Sequence, residues 1–215
     1  MNLKHISPDG IIRVCYAKIG NCRYIQIDST GRQFDQEEFK KITNKEPDVR
    51  KVLEPLVNQN KGSLTGLEFA TKSRESTAEK ILVRKKVKSM DEMWDLVRYT
   101  SLVDIDKYVD SFKKTIQGLK DKGFVIHNIK NTWNDKSDPY NGINVKVLDP
   151  NGCKFELQFH TEDSLKAKEK AHLIYEKQRK LGKDDIKEIL RLSQEMKDIF
   201  DRVPNPYELE EQNEI

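Results

Sequence analysis

Three stretches of this sequence carry side chains whose types and spacing suit phosphate chemistry. In Phe155-Glu156-Leu157-Gln158-Phe159-His160 the residues alternate, so a strand there sets Phe155, Leu157 and Phe159 on one face and Glu156, Gln158 and His160 on the other. The same alternation also describes an ordinary half-exposed antiparallel strand. Asp95 stands at the head of a β-prone run, with Arg98 three residues on. Carboxylates at neighbouring strands can hold Mg²⁺, a hard cation that usually takes one or two carboxylates plus substrate phosphates. Such an ion neutralises phosphate charge and aligns the attacking and leaving oxygens. Taken alone, Asp95 reads equally as a polar strand-start residue. Lys72-Ser73-Arg74-Glu75-Ser76 and Lys80 place basic and hydroxyl groups at a helix start, where backbone amides and the helix dipole favour phosphate. Ser76 and Lys80 are i,i+4 neighbours, and Arg84 continues their face. Tyr140, in Pro139-Tyr140-Asn141-Gly142, is an aromatic on a polar loop. It can stack a base, worth ~1–3 kcal/mol, or pack as a turn residue on a sheet edge.

The elements that must position these residues follow from pattern. Runs 11–17 and 22–28 are β-prone and separated by Ile19-Gly20-Asn21, which predicts a hairpin. Helices are expected over 35–42 and 48–58, then a Gly/Ser/Thr-containing break at 60–66. A basic helix is expected over 76–87 with Ser76 as its N-cap. A strand over 96–103, an amphipathic helix over 105–122 ended by Gly123, and a strand over 124–133 come next. Strands 143–148 and 153–160 are joined by Asp149-Pro150-Asn151-Gly152, a turn in which Pro fixes φ and Gly allows positive φ. Helices over 162–180 and 184–202 close the body before Pro204 and Pro206. This order predicts a mixed α/β or α+β fold. The expected organisation is an N-terminal hairpin and helices (1–60), a main domain (61–204) and an acidic tail (205–215).

Composition sets limits. The chain has 215 residues, 35% charged and 36% hydrophobic. It is charge-rich and lean in core, yet long enough to bury roughly 70% of its unfolded surface. No apolar run approaches the ~18–20 residues of a membrane span, and no secretory signal is visible, so a cytoplasmic protein with no membrane association is expected. Cys15, Cys22 and Cys153 do not form a disulfide framework. Cys15 and Cys22 can face each other across the hairpin, but a reduced state is expected. No CxxC or HxxxH spacing marks a zinc site. The net charge of +3 hides a pattern: the tail holds Glu208, Glu210, Glu211 and Glu214 and no base, so the rest carries +7. Arg84, Lys85, Lys86 and Lys88 form a tight basic run, either a solvated helix face or a phosphate-binding surface.

The order of these pieces resembles the synthetase domain of the RelA/SpoT alarmone family. Lys72-Ser73-Arg74-Glu75-Ser76-Thr77-Ala78-Glu79-Lys80 matches its K-S-x-x-S-x-x-x-K helix start. Phe155 to Thr161 resembles its V-E-I-Q-I-R-T strand, and His172 with Tyr175 matches its H-x-x-Y pair, although helix packing explains those two as well. Tyr140, followed by Asn144 in place of His, resembles its Y-x-x-x-H segment. The resemblance spans residues 64–180. It implies an α+β, nucleotidyltransferase-like fold: a mixed, largely antiparallel sheet flanked by helices, here with an N-terminal hairpin/helical appendage. It implies that Asp95 and Glu156 are catalytic and carry Mg²⁺. Lys72, Ser76, Lys80, Arg84, Lys85, Lys86 and Arg98 would bind ATP. Tyr140, Asn144, Gln158 and His160 would bind the acceptor. The implied reaction moves pyrophosphate from ATP to a ribose 3′-hydroxyl of a nucleotide or RNA 3′ end, in a synthetase-only module, with ATP and an acceptor nucleotide or tRNA as partners and a homo-oligomer allowed.

The chain departs from the family at four places: Ala70 replaces an arginine, Met93 stands where the family has its acid, His160 replaces an arginine, and the K-x-N-G before the tyrosine is absent, with Lys136 nearby. These changes fall on donor and acceptor contacts. They leave open a toxin or effector role, a domain detached from a larger virion or effector polypeptide, and an inactive module that binds nucleotide or RNA.

Overall fold

The computed structural model describes residues 2–6, 12–18, 21–28, 30–133, 135, 140–182 and 184–207, with backbone geometry alone over 2–6, 12–18 and 21–24. Four N-terminal strands form an antiparallel sheet in sequence order: β1 (Asn2–Ile6), β2 (Ile12–Lys18), β3 (Asn21–Ile27) and β4 (Gln33–Asp35). The expected hairpin is therefore the centre of a larger sheet. Its register sets Cys15 opposite Tyr24 and Cys22 opposite Ala17, so the two cysteines are not directly opposed. Asp28 builds the turn into β4 by accepting from the amides of Thr30 (2.8 Å) and Arg32 (3.0 Å). Residues 19 and 20 of the expected turn, the loop residue Lys136 and the acidic tail from residue 208 lie outside the described residues.

The body is a five-stranded sheet of order β5-β6-β9-β8-β7. Its strands are β5 (Gly62–Thr65), β6 (Val97–Val103), β7 (Val125–Asn131), β8 (Ile143–Leu148) and β9 (Lys154–His160). β6 and β9 run parallel, and the other neighbours are antiparallel. This is the mixed, largely antiparallel sheet expected. Alternation divides its two faces. Val97, Tyr99, Val103, Val145, Val147, Phe155, Leu157 and Phe159 are buried on one face. Helices α2 (Glu46–Gln59) and α4 (Tyr108–Asp121) cover that face with Leu53, Val57, Phe112, Ile116 and Leu119. Aromatic edges join the layers and the strands: Phe112 of α4 meets Phe159 of β9 at 5.1 Å, and Tyr99 of β6 meets Phe155 of β9 at 5.7 Å, both edge-on. The Tyr99 hydroxyl donates to the Glu46 carbonyl (2.8 Å), tying the start of α2 to the sheet. Gly123 takes φ +81° where α4 ends, a conformation costly for any residue with a Cβ.

The opposite face carries the polar row. Over part of it lie α5 (Glu162–Gln178) and α6 (Ile186–Phe200), packed together through Ala167, Ala171, Ile174, Leu192, Met196 and Phe200. Thr161 caps α5 reciprocally with Ser164, which fixes the helix directly after β9. A smaller core joins the N-terminal part to the body: Phe34 of β4, Ile81, Leu82, Met90, Met93 and Leu96. Among the described residues no helix is long and apolar enough to cross a membrane.

Three local expectations change. The 60–66 break contains the edge strand β5, whose four residues, Gly-Ser-Leu-Thr, are too short and polar to signal a strand. The basic helix starts earlier, as α1 (Gln36–Thr43) and α2 are followed by α3 (Arg74–Ala78), capped by Ser73 and not Ser76. The Ser73 hydroxyl accepts from the Ser76 amide at 3.1 Å. The helix then widens into a π-helical turn, Glu79–Val83. α2 contributes Val49, Leu53, Leu56 and Val57 to the main core, so it packs with the body although it precedes residue 61. Leu53→Ala is accordingly expected to cost about 2–5 kcal/mol of the body's unfolding free energy, read by urea denaturation.

Candidate functional site

The polar row is assembled by strand register. β6 and β9 pair so that Arg98 stands beside Glu156 and Thr100 beside Gln158. β8 adds Lys146 beside Glu156 and Asn144 beside Gln158 on the other side. Glu156 thus sits between two cationic positions. Residues ahead of β6 extend the row. Thr71 bridges to Val97, and the Lys72 amide donates to the Leu96 carbonyl (2.9 Å), which brings the start of α3 alongside Asp95.

Asp95 is clamped. Lys80 Nζ lies 2.7 Å from one carboxylate oxygen and Lys72 Nζ 3.2 Å from the other. Burial opposes the ionised acid, but the two ammonium groups outweigh it and hold the carboxyl below the usual range. Lys72 is held below the usual lysine range, chiefly by burial, with Asp95 pulling the other way and Arg98 and Lys80 adding like charge. Arg98 is close enough to be felt by Lys72, Lys168 and Tyr140. The Asp95 cluster and the Glu156 row are therefore electrostatically continuous through Arg98.

At the other end of the row, Gln158 donates to Glu156 and accepts from Lys168 Nζ of α5 at 2.5 Å. His160 is fully buried. Its Nε2 lies 2.6 Å from the Tyr140 hydroxyl and its Nδ1 2.8 Å from the Ser164 hydroxyl. Burial first, and the Lys168 charge second, hold its pKa well below the usual histidine value, so the ring is neutral. The Tyr140 hydroxyl also reaches Asn144 Oδ1 at 3.2 Å. The Tyr140 ring is edge-on to both His160 and Phe200, and its hydroxyl is held protonated by burial and the Glu156 charge. A Cβ on Gly142 would lie 3.0 Å from the rings of both His160 and Tyr140, so glycine is what lets this loop close on the row.

A cleft of about 1140 Å³ opens over the row. Arg98, Thr100 and Tyr140 form its floor, Lys168, His172 and Tyr175 one wall, and Gly66 and Phe69 the rim before α3. Of the residues expected in the site, Arg98 and Tyr140 line this cleft. Glu156, Gln158 and Asn144 follow from them along the strand register, and Lys72, Lys80 and Asp95 form the clamp ahead of β6. His160 is placed behind Tyr140, where it positions that ring rather than facing the cleft. His172 and Tyr175 are exposed on the cleft wall rather than packed. Ser76 stands inside the first turn of α3, half-buried. Arg84 is half-buried against Glu79 (3.7 Å), which Arg179 also approaches (3.5 Å). Lys85 and Lys86 are exposed beyond the π-helical turn.

Met93, at the family's acid position, is buried in the apolar cluster that receives Phe34. Two residues went unread in the sequence. Lys168 lies in a helix so rich in lysine that its inward position carries no pattern. Trp94 stacks on His127 (centroids 4.6 Å), with Lys154 and Lys146 Nζ 5.5 and 5.9 Å from its ring; a tryptophan beside Asp95 was the available signal.

The donor set for a metal is oxygen-rich but small. Among the described residues no group of three His, Cys, Asp or Glu side chains gathers. Glu156 and Asp95 match Mg²⁺ in donor type, and such an ion needs substrate phosphates to complete its shell.

The neutral, buried His160 has a stability consequence. Its folded pKa lies below its unfolded one, so the unfolded chain binds the extra proton and stability falls as pH drops through about 6.5. Thermal melts from pH 7.5 to 5 are expected to show this decline, and His160→Gln to flatten it. An unchanged slope in the variant would contradict the buried neutral ring.

No family model and no curated protein matches this sequence. Solved structures do match in fold. Small alarmone synthetase 1 from Bacillus subtilis aligns with a TM-score of 0.55 at 18% identity, over 77% of this chain and 90% of that one. The same enzyme bound to its product pppGpp aligns at 0.54 and 18%, over 77% and 91%. The Type VI effector Tas1, solved with its immunity protein, aligns at 0.52 and 20%, over 77% and 95%. The order of the strands, the clamp before β6 and the polar row of β9 thus sit on a fold like that of the small alarmone synthetases.

Proposed function

We propose that this protein transfers pyrophosphate from ATP to the ribose 3′-hydroxyl of an acceptor nucleotide. The observation that carries this reading is the row of Lys72, Lys80, Asp95, Arg98 and Glu156, which meets a nucleotide-sized cleft at Arg98. The fold shared with a synthetase that binds pppGpp supports it.

In the reaction the acceptor 3′-oxygen attacks the β-phosphorus of ATP. The bond from that phosphorus to the α,β-bridging oxygen breaks, AMP leaves, and the hydroxyl proton passes to a base. Glu156 is the base, because its carboxylate lies in the polar row next to Arg98 and is oriented by the Gln158 amide. Lys72 and Lys80 turn from Asp95 to the donor phosphates, and the exposed Lys85 and Lys86 add positive charge, while Arg98 stands between the donor and acceptor ends of the row. Glu156, and Asp95 once its lysines have turned, would hold Mg²⁺, which supplies neutralisation of the triphosphate charge. Tyr140 and Asn144 line the acceptor side, where His160 and Gly142 fix the tyrosine ring.

A second reading, a binding module without catalysis, has Met93 in its favour: the acid's place in the family pattern is an apolar core position here. One assay separates the two. With γ-labelled ATP, Mg²⁺ and each ribonucleotide or tRNA, product identified by mass spectrometry is expected for the native chain. Glu156→Gln is expected to lower the rate on the order of 10²–10⁴-fold. Labelled transfer at full rate in Glu156→Gln would sink the mechanism, and saturable, salt-sensitive binding with no product would establish the second reading. A further expectation concerns the clamp. Lys80→Ala should raise the KM for ATP more than it lowers kcat, since the lysine binds phosphate in both ground and transition states.

A further inference from the structure

The cations of the row are not equivalent. Lys72 and Lys80 each have Asp95 as a partner within 3.2 Å. Lys168 has none: among the described residues it forms no salt bridge, and its hydrogen-bond partner is the neutral Gln158 amide oxygen at 2.5 Å. It is nevertheless half-buried, on the wall of the 1140 Å³ cleft, with Arg98 on the floor below. Glu156 and Glu169 act on it without direct contact, so a half-buried ammonium that touches a neutral amide beside a guanidinium is open to an anion.

We propose that Lys168 of α5 and Arg98 of β6 together bind a phosphate of the acceptor nucleotide. This rests on the pyrophosphotransfer reading for the word acceptor; the phosphate locus itself rests on the geometry alone. Lys168 reaches the row at Gln158, the residue opposite Asn144, whose Oδ1 accepts from Tyr140. Its place is therefore on the Tyr140 side of the cleft and not at the Asp95 clamp. The strand itself supplies no cation there, since β9 ends in neutral His160; the charge comes from the helix instead.

The electrostatics give this locus a signature. Burial first, then the Arg98 charge, push Lys168 down to about 8, while Glu156 and Glu169 pull the other way. The charged and titratable groups around it are Arg98 on β6, Glu156 and neutral His160 on β9, Tyr140 on its loop, Glu169 and His172 on α5, Glu68 at the rim and Lys197 on α6. A bound phosphate favours the protonated lysine and raises its pKa. Above about pH 8 the free protein has lost part of that proton, so binding must take one up.

Isothermal titration calorimetry on the full chain tests this, using the four ribonucleoside 5′-diphosphates and α,β-methylene-ATP, at pH 6.5 and 8.5, in two buffers of different ionisation enthalpy. At least one diphosphate is expected to bind with net proton uptake at pH 8.5 and little at pH 6.5. Lys168→Met is expected to weaken that diphosphate roughly tenfold or more and abolish the uptake, with α,β-methylene-ATP affinity unchanged. Lys168→Arg, whose guanidinium does not titrate, should keep most of the affinity and lose the uptake. Uptake that persists in Lys168→Met, equal weakening of both ligands, or failure of every diphosphate to bind would overturn the assignment. Lys168-linked diphosphate binding without any transfer product would refute the proposed reaction and leave the phosphate locus standing.

Discussion

The parallel pairing of β6 with β9 is the interaction on which the rest depends. The two strands are joined only through a helix and a hairpin, yet their register decides which side chains meet on both faces of the sheet. On the covered face it brings Tyr99 beside Leu157 and sets Phe155 and Phe159 under α4. On the open face it brings Arg98 beside Glu156 and Thr100 beside Gln158. A slip of one residue would turn one strand's polar row onto the covered face, burying Arg98 or Glu156 under α2 and α4. The apolar face therefore fixes the polar one: aromatic packing on one side of the sheet specifies the spacing of charges on the other.

That polar face is not a stability device. On the strands and the segment before them, Lys72, Lys80, Arg98 and Lys146 stand against Asp95 and Glu156, and α5 adds Lys168 with Glu169 beside it. Half-buried charge without full pairing weakens a fold, because desolvation is repaid only where partners and geometry are good. Asp95 is well repaid by two ammonium groups, whereas Lys168 is not. Charge is left poorly paired here, whereas the covered face is apolar apart from a few hydroxyls such as Ser101, Ser111 and Thr115, which is the expected division between a scaffold and a site for an anion.

Much of this was legible in the chain. The alternation of β9 gave both of its faces, because a period of two survives wherever one face is buried. The Lys72-to-Lys80 segment and Asp95 were readable as separate pieces; that they form one clamp is a consequence of the Thr71–Val97 bridge, which no local pattern announces. β5 was hidden because an edge strand of Gly, Ser, Leu and Thr is held by its neighbour's hydrogen bonds rather than by its own propensity. The alternation put His160 on the polar face, and the family resemblance implied an acceptor contact for it. Only the tertiary contact with Tyr140 and Ser164 turns it into a buried neutral support. Lys168 was indistinguishable from the solvated lysines of α5, since its inward direction depends on how α5 docks after the Thr161 cap.

The two ends of the row ask different things of a phosphate. At the Asp95 end both lysines are already paired, so an arriving phosphate must exchange with a carboxylate, and the exchange leaves Asp95 with free oxygens. At the Lys168 end no carboxylate has to leave, and the incoming charge relieves the strain between Lys168 and Arg98. On the proposed reading, the exchange at the donor end is what would turn Asp95 from a lysine clamp into an oxygen donor for a divalent ion. The ion's site would then form only when the triphosphate is present, in keeping with a donor set too small to gather one alone.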